Sequence, residues 1–248
     1  MSTLSKTYFS KIIEVIQTIA VEEEKAIDQA AGMIADAVQQ GQRIFAFGCT
    51  HSALPIQDII YRAGGLMLIN PIYGPGITSL EVKPNTITTS MERLSGFAEI
   101  LLDNNPIQKG DVLIIVSVSG RNAVPIEMAK LAKERGIHVI AVTSIQYASS
   151  VDSRHPSGKK MHEFADLVID NKVEKGDAML ELEGVPTRFT PSSGIANIAI
   201  MHALVTAVIE GLHERGITPP VFMAANVDGG AEYNAKMIAQ YRDKIFYV

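Results

Sequence analysis

The sequence predicts an α/β domain, a parallel sheet doubly wound with helices on both faces. Short aliphatic runs recur along the chain, each halted by glycine or small polar residues. Between them lie segments with apolar residues three and four apart, the period of a helix half-buried on a sheet. The strand-like runs are apolar throughout rather than alternating, as they are when both faces of a parallel sheet are covered.

The first forty residues read as helix. Ile27, Ala30, Ala31, Ile34, Ala35 and Val38 fall on one face of a 3.6-residue period, and Gly41 is a stop signal. Phe9, Ile12, Ile13 and Ile16 predict an earlier helix or a continuation of the same one. The acidic run Glu22, Glu23, Glu24 reads as a solvated face. "RIFAFG" (43–48) is the first strand, and "AFGCTHSALPIQDIIYRAGG" leads on as loop and helix. "GLMLINPIYG" is a second strand with a loop rich in glycine and proline. "SMERLSGFAEILLDN" reads as one helix, and "VLIIVSVSG" is the clearest buried strand. "NAVPIEMAKLAKERG" follows as helix, then "IHVIAVTS" and "DLVIDN" as strands. Residues 144–162 are polar and basic and predict an exposed loop, long enough for a flap. "GIANIAIMHALVTAVIEGLHERG" (194–216) is a long apolar helix. In the last helix Tyr233, Met237, Tyr241 and Ile245 recur four apart. The expected division is a helical segment over 1–40, the α/β domain over 41–220 and a helical extension over 221–248.

With 248 residues, 47% of them hydrophobic, the chain can bury a substantial core. Its net charge of −5 gives no electrostatic reason to expect nucleic acid as a partner. The lone Cys49 excludes an internal disulfide and any two-cysteine metal site. The six histidines show no metal-binding spacing, so no metal and no cofactor are expected. No signal-like N-terminus and no apolar run of about 18 residues is apparent, which predicts a cytoplasmic protein away from membranes.

The chemistry gathers where strands give way to helices. In open parallel sheets, ligands sit outside the carboxyl ends of the strands. After the strand at 112–116 come Ser117, Ser119, Gly120, Arg121 and Asn122, directly before a helix. A helix start offers unpaired N–H groups and partial positive charge to an anion. The two serines add hydroxyls, Gly120 allows close backbone approach, and Arg121 adds charge. Asn122 is a natural helix cap, with Pro125 in the first turn. An ordinary strand-to-helix turn uses the same residue types. Here, however, "FGCTHS" repeats the pattern with His51 and Ser52, and "TPSSG" opens the long apolar helix with Ser192 and Ser193 as caps. Three hydroxyl-rich helix starts predict a site for a phosphate and a polyol. Neither a dinucleotide fingerprint nor a P-loop is present.

The motifs "FGCTHSALPIQDIIYRAGGL", "GDVLIIVSVSGRNAVPIEMAKLAKERGIHVIAVTS" and "TPSSGIANIAIMHALVTAVIEGL" resemble those of the SIS (sugar isomerase) domain family over about residues 30–215. Within it the sequence is most similar to the phosphoheptose-isomerase-like branch, which includes uncharacterised sugar-isomerase-domain proteins. The resemblance implies a five-stranded parallel sheet flanked by helices and a phosphorylated sugar as ligand. It also implies a homo-oligomer, dimer or tetramer, with sites often completed by a neighbouring chain. Ser52, Ser117 and Ser119 match the phosphate-binding serines, and Asn122 stands where another serine is common. Arg62 falls where those isomerases carry a catalytic glutamate, and arginine does not serve as a carboxylate base.

Aldose–ketose isomerisation needs a group to take a proton beside a carbonyl and return it to the neighbouring carbon, work suited to a carboxylate or histidine. Glu92 reads as a carboxylate at the start of a helix, where an exposed first-turn glutamate is the ordinary alternative. His202, on the apolar helix, resembles a catalytic histidine of phosphoheptose isomerases, against the alternative of a satisfied core or interface residue. Glu81, Glu183 and Glu232 are weaker candidates. The leading reading is a sugar-phosphate aldose–ketose isomerase with Glu92 and His202 as the proton-transfer pair. Two alternatives stand beside it: an etherase or lyase acting on a phosphorylated amino sugar, and a non-catalytic sugar-phosphate sensor or assembly module.

Overall fold

A computed structural model describes residues 3–78 and 82–248. Two helices, α1 (Thr3–Glu22) and α2 (Glu24–Gln39), precede the sheet. Strand β1 (Ile44–Gly48) passes through a 3-10 turn into α3 (Leu54–Ile59), and β2 (Ile69–Ile72) follows. Two short helices come next, α4 (Thr86–Glu92) and α5 (Phe97–Asp103). Then β3 (Val112–Val116) leads into α6 (Ala123–Glu134), and β4 (His138–Thr143) into α7 (Ile145–Ser149). After β5 (Leu167–Asp170) come the long α8 (Ser193–Glu214) and finally α9 (Gly230–Gln240).

All five strands pair in parallel, in the order β2-β1-β3-β4-β5. The chain therefore reverses its direction of winding between β1 and β3. These strands pair from Ile44–Val112 to Gly48–Val116, which brings the loops after them out at one crevice. Alternate residues feed two separate cores, as the strand period of two requires. Ile44, Ala46, Val112, Ile114 and Val116 face α2 and α8. Phe45, Phe47, Leu113 and Ile115 face α5 and α6.

Several local expectations are corrected. The N-terminal helix breaks at Glu23, and Glu23 is not solvated. It is buried, its carboxylate ion-pairs with Lys172 (2.6 Å) and accepts from the Asp170 amide (3.0 Å). "SMERLSGFAEILLDN" forms two helices rather than one, because Gly96 takes a φ of 84° between them. An apolar segment of membrane-spanning length is also present by composition. An 18-residue window of α8 has a mean hydropathy of 1.8. Here its apolar residues are the centre of the α2/α8 core, with Ala196, Ile200, Met201, Leu204 and Val208 fully buried.

The C-terminal tail stacks Phe246 on Phe45, hydrogen-bonds the Met67 carbonyl through Tyr247, and is further held by one buried amide side chain. Buried Asn70 on β2 donates to the Ile44 (3.1 Å) and Lys244 (2.8 Å) carbonyls and accepts from the Phe246 amide (2.7 Å). Leaving buried polar groups unpaired costs about 1–3 kcal/mol, so Asn70→Ala should lower unfolding stability by about that amount. A lower urea midpoint at unchanged slope is the expected result, and an unchanged midpoint would show that the Asn70 bonds contribute nothing to folding.

Candidate functional site: an anion corner between β1 and β3

Gly48 ends β1 where the chain must fold back on itself. A Cβ there would lie 2.2 Å from the Ser52 carbonyl oxygen, so only glycine closes this turn. Thr50 then takes a φ of 54°, a left-handed conformation that costs a β-branched residue about 1–3 kcal/mol. Its amide donates to the Ile77 carbonyl at 2.5 Å. The turn places a half-buried Ser52 ahead of α3, its hydroxyl without a partner among the described residues, while His51 beside it is exposed.

At the second corner the Ser117 amide extends the ladder to the Val142 carbonyl (3.0 Å). Ser117 is buried and Ser119 half-buried, and neither hydroxyl has a protein partner among the described residues. Gly120 sits at a φ of 56°, the left-handed turn that swings the chain into α6. The first two amides of α6, on Ala123 and Val124, meet no acceptor among the described residues. Among the described residues, the hydroxyls and amides at these two neighbouring strand ends thus have no protein partner, the requirement for holding a phosphate with neutral donors.

Asn122 occupies the cap position of α6 but does not cap it, a correction to the sequence expectation. Its side chain is turned to other work. Oδ1 accepts from Arg154 Nη1 at 2.9 Å, and the side chain also hydrogen-bonds Glu92. Glu92 closes α4 rather than opening a helix, so no helix dipole favours its ionised form. Burial pushes its carboxyl above the usual glutamate range, against the opposing pull of Asn122, Arg93 and Arg154. Burial and then Glu92 also keep the Cys49 thiol protonated well above its ordinary value.

Arg93 and Arg154 were not apparent from the sequence. Arg154 lies in the predicted flap, which is docked on the second corner. The Arg154 amide donates to the Arg121 carbonyl (2.8 Å), and the Met161 amide to that of Gly120 (2.9 Å). Buried Glu127 on α6 fixes both loops. It accepts from the Ser95 hydroxyl and the Gly96 amide (2.8 Å), and His155 Nε2 lies 3.6 Å from it. A glutamate in a helix reads as a surface residue, so only the folded loops reveal this role.

The third helix start is already filled. Asp177, at a φ of 49°, accepts from the Ser192 amide (3.0 Å), the Ser192 hydroxyl (3.2 Å), the Ser193 amide (2.9 Å) and the Ser193 hydroxyl. The two serines therefore do not cap α8 themselves. A carboxylate from the preceding loop does so, being the stronger acceptor at the positive end of a helix.

His202 lies elsewhere. It is 43% exposed on α8, with Nε2 2.7 Å from Asp58 Oδ2 on α3, and Asp58 Oδ1 pairs with Arg62 Nη1 at 2.7 Å. Glu92 belongs to the α6 face of the sheet and His202 to the α8 face, and they share no partner. Of the weaker carboxylates, Glu183 is exposed in the loop before α8, Glu232 is exposed on α9, and Glu81 lies outside the described residues. Among the described residues no three of His, Cys, Asp or Glu gather as metal ligands.

Sheet order and parallel pairing define an open α/β protein whose winding reverses between β1 and β3. Residues 7–144 match the SIS domain model, and the chain belongs to the SIS domain family. It is 45% identical to a UPF0309 protein of Oceanobacillus iheyensis, over 99% of this chain and 100% of that one. It is 44% identical to a UPF0309 protein of Streptomyces coelicolor, over 97% and 96%. Among solved structures, phosphoheptose isomerase GmhA from Neisseria gonorrhoeae aligns with a TM-score of 0.55 and 22% identity, covering 83% of this chain and 97% of that one. A phosphoheptose isomerase from Francisella tularensis aligns with a TM-score of 0.53 and 17% identity, covering 85% and 100%. At these identities the likeness to the two isomerases establishes the shared fold.

A glutamate whose folded pKa is raised stabilises the fold only while protonated. That contribution is complete below the ordinary value of about 4.3 and is lost as pH rises through the elevated one. Glu92→Gln keeps the hydrogen bond to Asn122 without the charge. It should therefore match the wild type at acid pH and unfold at a higher temperature near neutrality. A difference in melting temperature that does not vary with pH would contradict the burial of this carboxyl.

Proposed function

We propose that the chain binds a phosphorylated sugar and isomerises it between aldose and ketose forms. The observation that carries this reading is the set of unengaged Ser52, Ser117 and Ser119 hydroxyls and α6 amides at one crevice. Five neutral donors suit the terminal oxygens of a phosphate ester, and His51 stands at the rim to meet a sugar hydroxyl. Glu92 takes the proton beside the carbonyl and returns it to the next carbon through an enediol. Its raised pKa brings it nearer neutrality, where a general base works best. His202, oriented by Asp58, is the second proton-transfer group. It lies on the opposite face of the sheet from Glu92, so it serves the site across the carboxyl edge or from a second copy in a homo-oligomer. Ser192 and Ser193 join the ligand only where Asp177 yields its place.

One observation favours a second reading, a sugar-phosphate sensor without turnover. Arg62 replaces the glutamate expected from the family resemblance and is locked to Asp58. Incubation with hexose, heptose and amino-sugar phosphates in deuterated water separates the readings by NMR. Isomerisation incorporates deuterium at C1 or C2. Thermal stabilisation by a ligand with no exchange identifies the sensor. Ser119→Ala should weaken binding about tenfold, the loss of one hydrogen bond to a charged group. Glu92→Gln should slow exchange about a hundredfold. If neither Glu92→Gln nor His202→Ala slows it by about tenfold, the proton-transfer assignment is wrong.

A further inference from the structure

Beside the neutral donors lies a group of three arginines that, among the described residues, shares a single carboxyl, that of Glu92. Arg43, Arg62, Arg135, Arg188 and Arg215 each pair with a carboxylate within 4.0 Å. Arg93, Arg121, Arg154 and Arg242 form no such ion pair among the described residues, and the first three gather around one point. The Arg154 amide is bonded to the Arg121 carbonyl, and its guanidinium reaches the side chain of the next residue, Asn122. Asn122 in turn binds Glu92, the chain neighbour of Arg93. The Nε of Arg121 is buried and has no hydrogen-bond partner. Desolvation and then the charges of Arg121 and Arg93 draw Arg154 below the usual guanidinium value, against the opposing pull of Glu92 and Tyr147. Glu92 is the one carboxyl within this group, and burial favours its neutral form. Glu127, nearby, is engaged by Ser95, Gly96 and His155.

Like charges held together without partners are unfavourable unless an anion joins them. The phosphate of a monoester already has its donors in Ser52, Ser117, Ser119 and the α6 amides, none of them charged. We infer that Arg93, Arg121 and Arg154 bind a second acidic group, so that the ligand is a sugar phosphate that also carries a carboxylate or another phosphate. Guanidinium groups suit this task because each presents a planar fork of donors to a carboxylate or phosphate. Arg154 is the most adaptable of the three. It is exposed, and its single hydrogen bond from the guanidinium goes to a neutral oxygen.

This inference rests on the phosphosugar reading above, and the test separates the two. Calorimetric titration would compare glucose 6-phosphate with 6-phosphogluconate, which adds a carboxylate, and with fructose 1,6-bisphosphate, which adds a phosphate. The wild type should bind at least one doubly acidic compound about tenfold more tightly than the monoester. Arg154→Gln and Arg93→Gln should each remove most of that preference while changing monoester affinity by less than about threefold. Thermal unfolding of both variants checks that they fold. Equal affinity for all three compounds overturns the inference and leaves the phosphosugar reading standing. Parallel loss of monoester and diacid binding in Arg154→Gln also overturns it, by assigning the arginines to the phosphate itself. If no compound binds, both readings fall. The tighter diacid identifies the second group.

Discussion

In-register pairing of β1 with β3 governs this molecule. The two strands are neighbours in space but not in sequence, so the connections leaving them diverge to opposite faces of the sheet. The same pairing that fills two cores with Phe45, Phe47, Ile114 and Ile115 therefore opens a crevice lined by main-chain amides and hydroxyls. Burial and ligand access are consequences of one strand order.

The crevice is maintained by groups with tight conformational demands. Gly48 has no room for a side chain, Thr50 holds a left-handed conformation, and Gly120 needs one. Around them Glu127 anchors two loops to α6, and Asn122 joins the carboxyl of Glu92 to the guanidinium of Arg154. Rigid backbone corners thus carry the neutral donors, and loops tied down by polar side chains carry the charges. The two sets answer to different physical constraints, sterics for the first and hydrogen bonding for the second.

That difference explains what the sequence discloses. Strands and long helices were legible because burial on a parallel sheet leaves continuous aliphatic runs and a 3.6-residue period. The serines at the β1 and β3 corners were legible because strand-to-helix turns have a recognisable composition. Glu23 and Asn122 were misread at the local level, as a solvated and a capping residue, and Glu92 was placed at the start of a helix that it in fact ends. Each is held by a partner far away in the chain: Lys172 for Glu23, Arg154 for Asn122 and Asn122 for Glu92. The gathering of Arg93 with Arg121 and Arg154 was illegible for the same reason, since no spacing rule links three loops. Asp177 shows the limit from the other side. "TPSSG" reads as a helix start open to a ligand, but an acid fifteen residues upstream of Ser192 takes the place, and no local pattern announces it.

Glu23 and Asn70 have a shared consequence. Each holds an end of the polypeptide against an outermost strand, Glu23 at β5 and Asn70 at β2. A parallel sheet with bare margins would offer its unpaired backbone to any passing chain. In this molecule a carboxylate engages the outward amide of Asp170 on one margin, and a carboxamide ties distant backbone to the strand at the other. Two polar side chains thus let helix and tail dock on the sheet without leaving those groups unpaired.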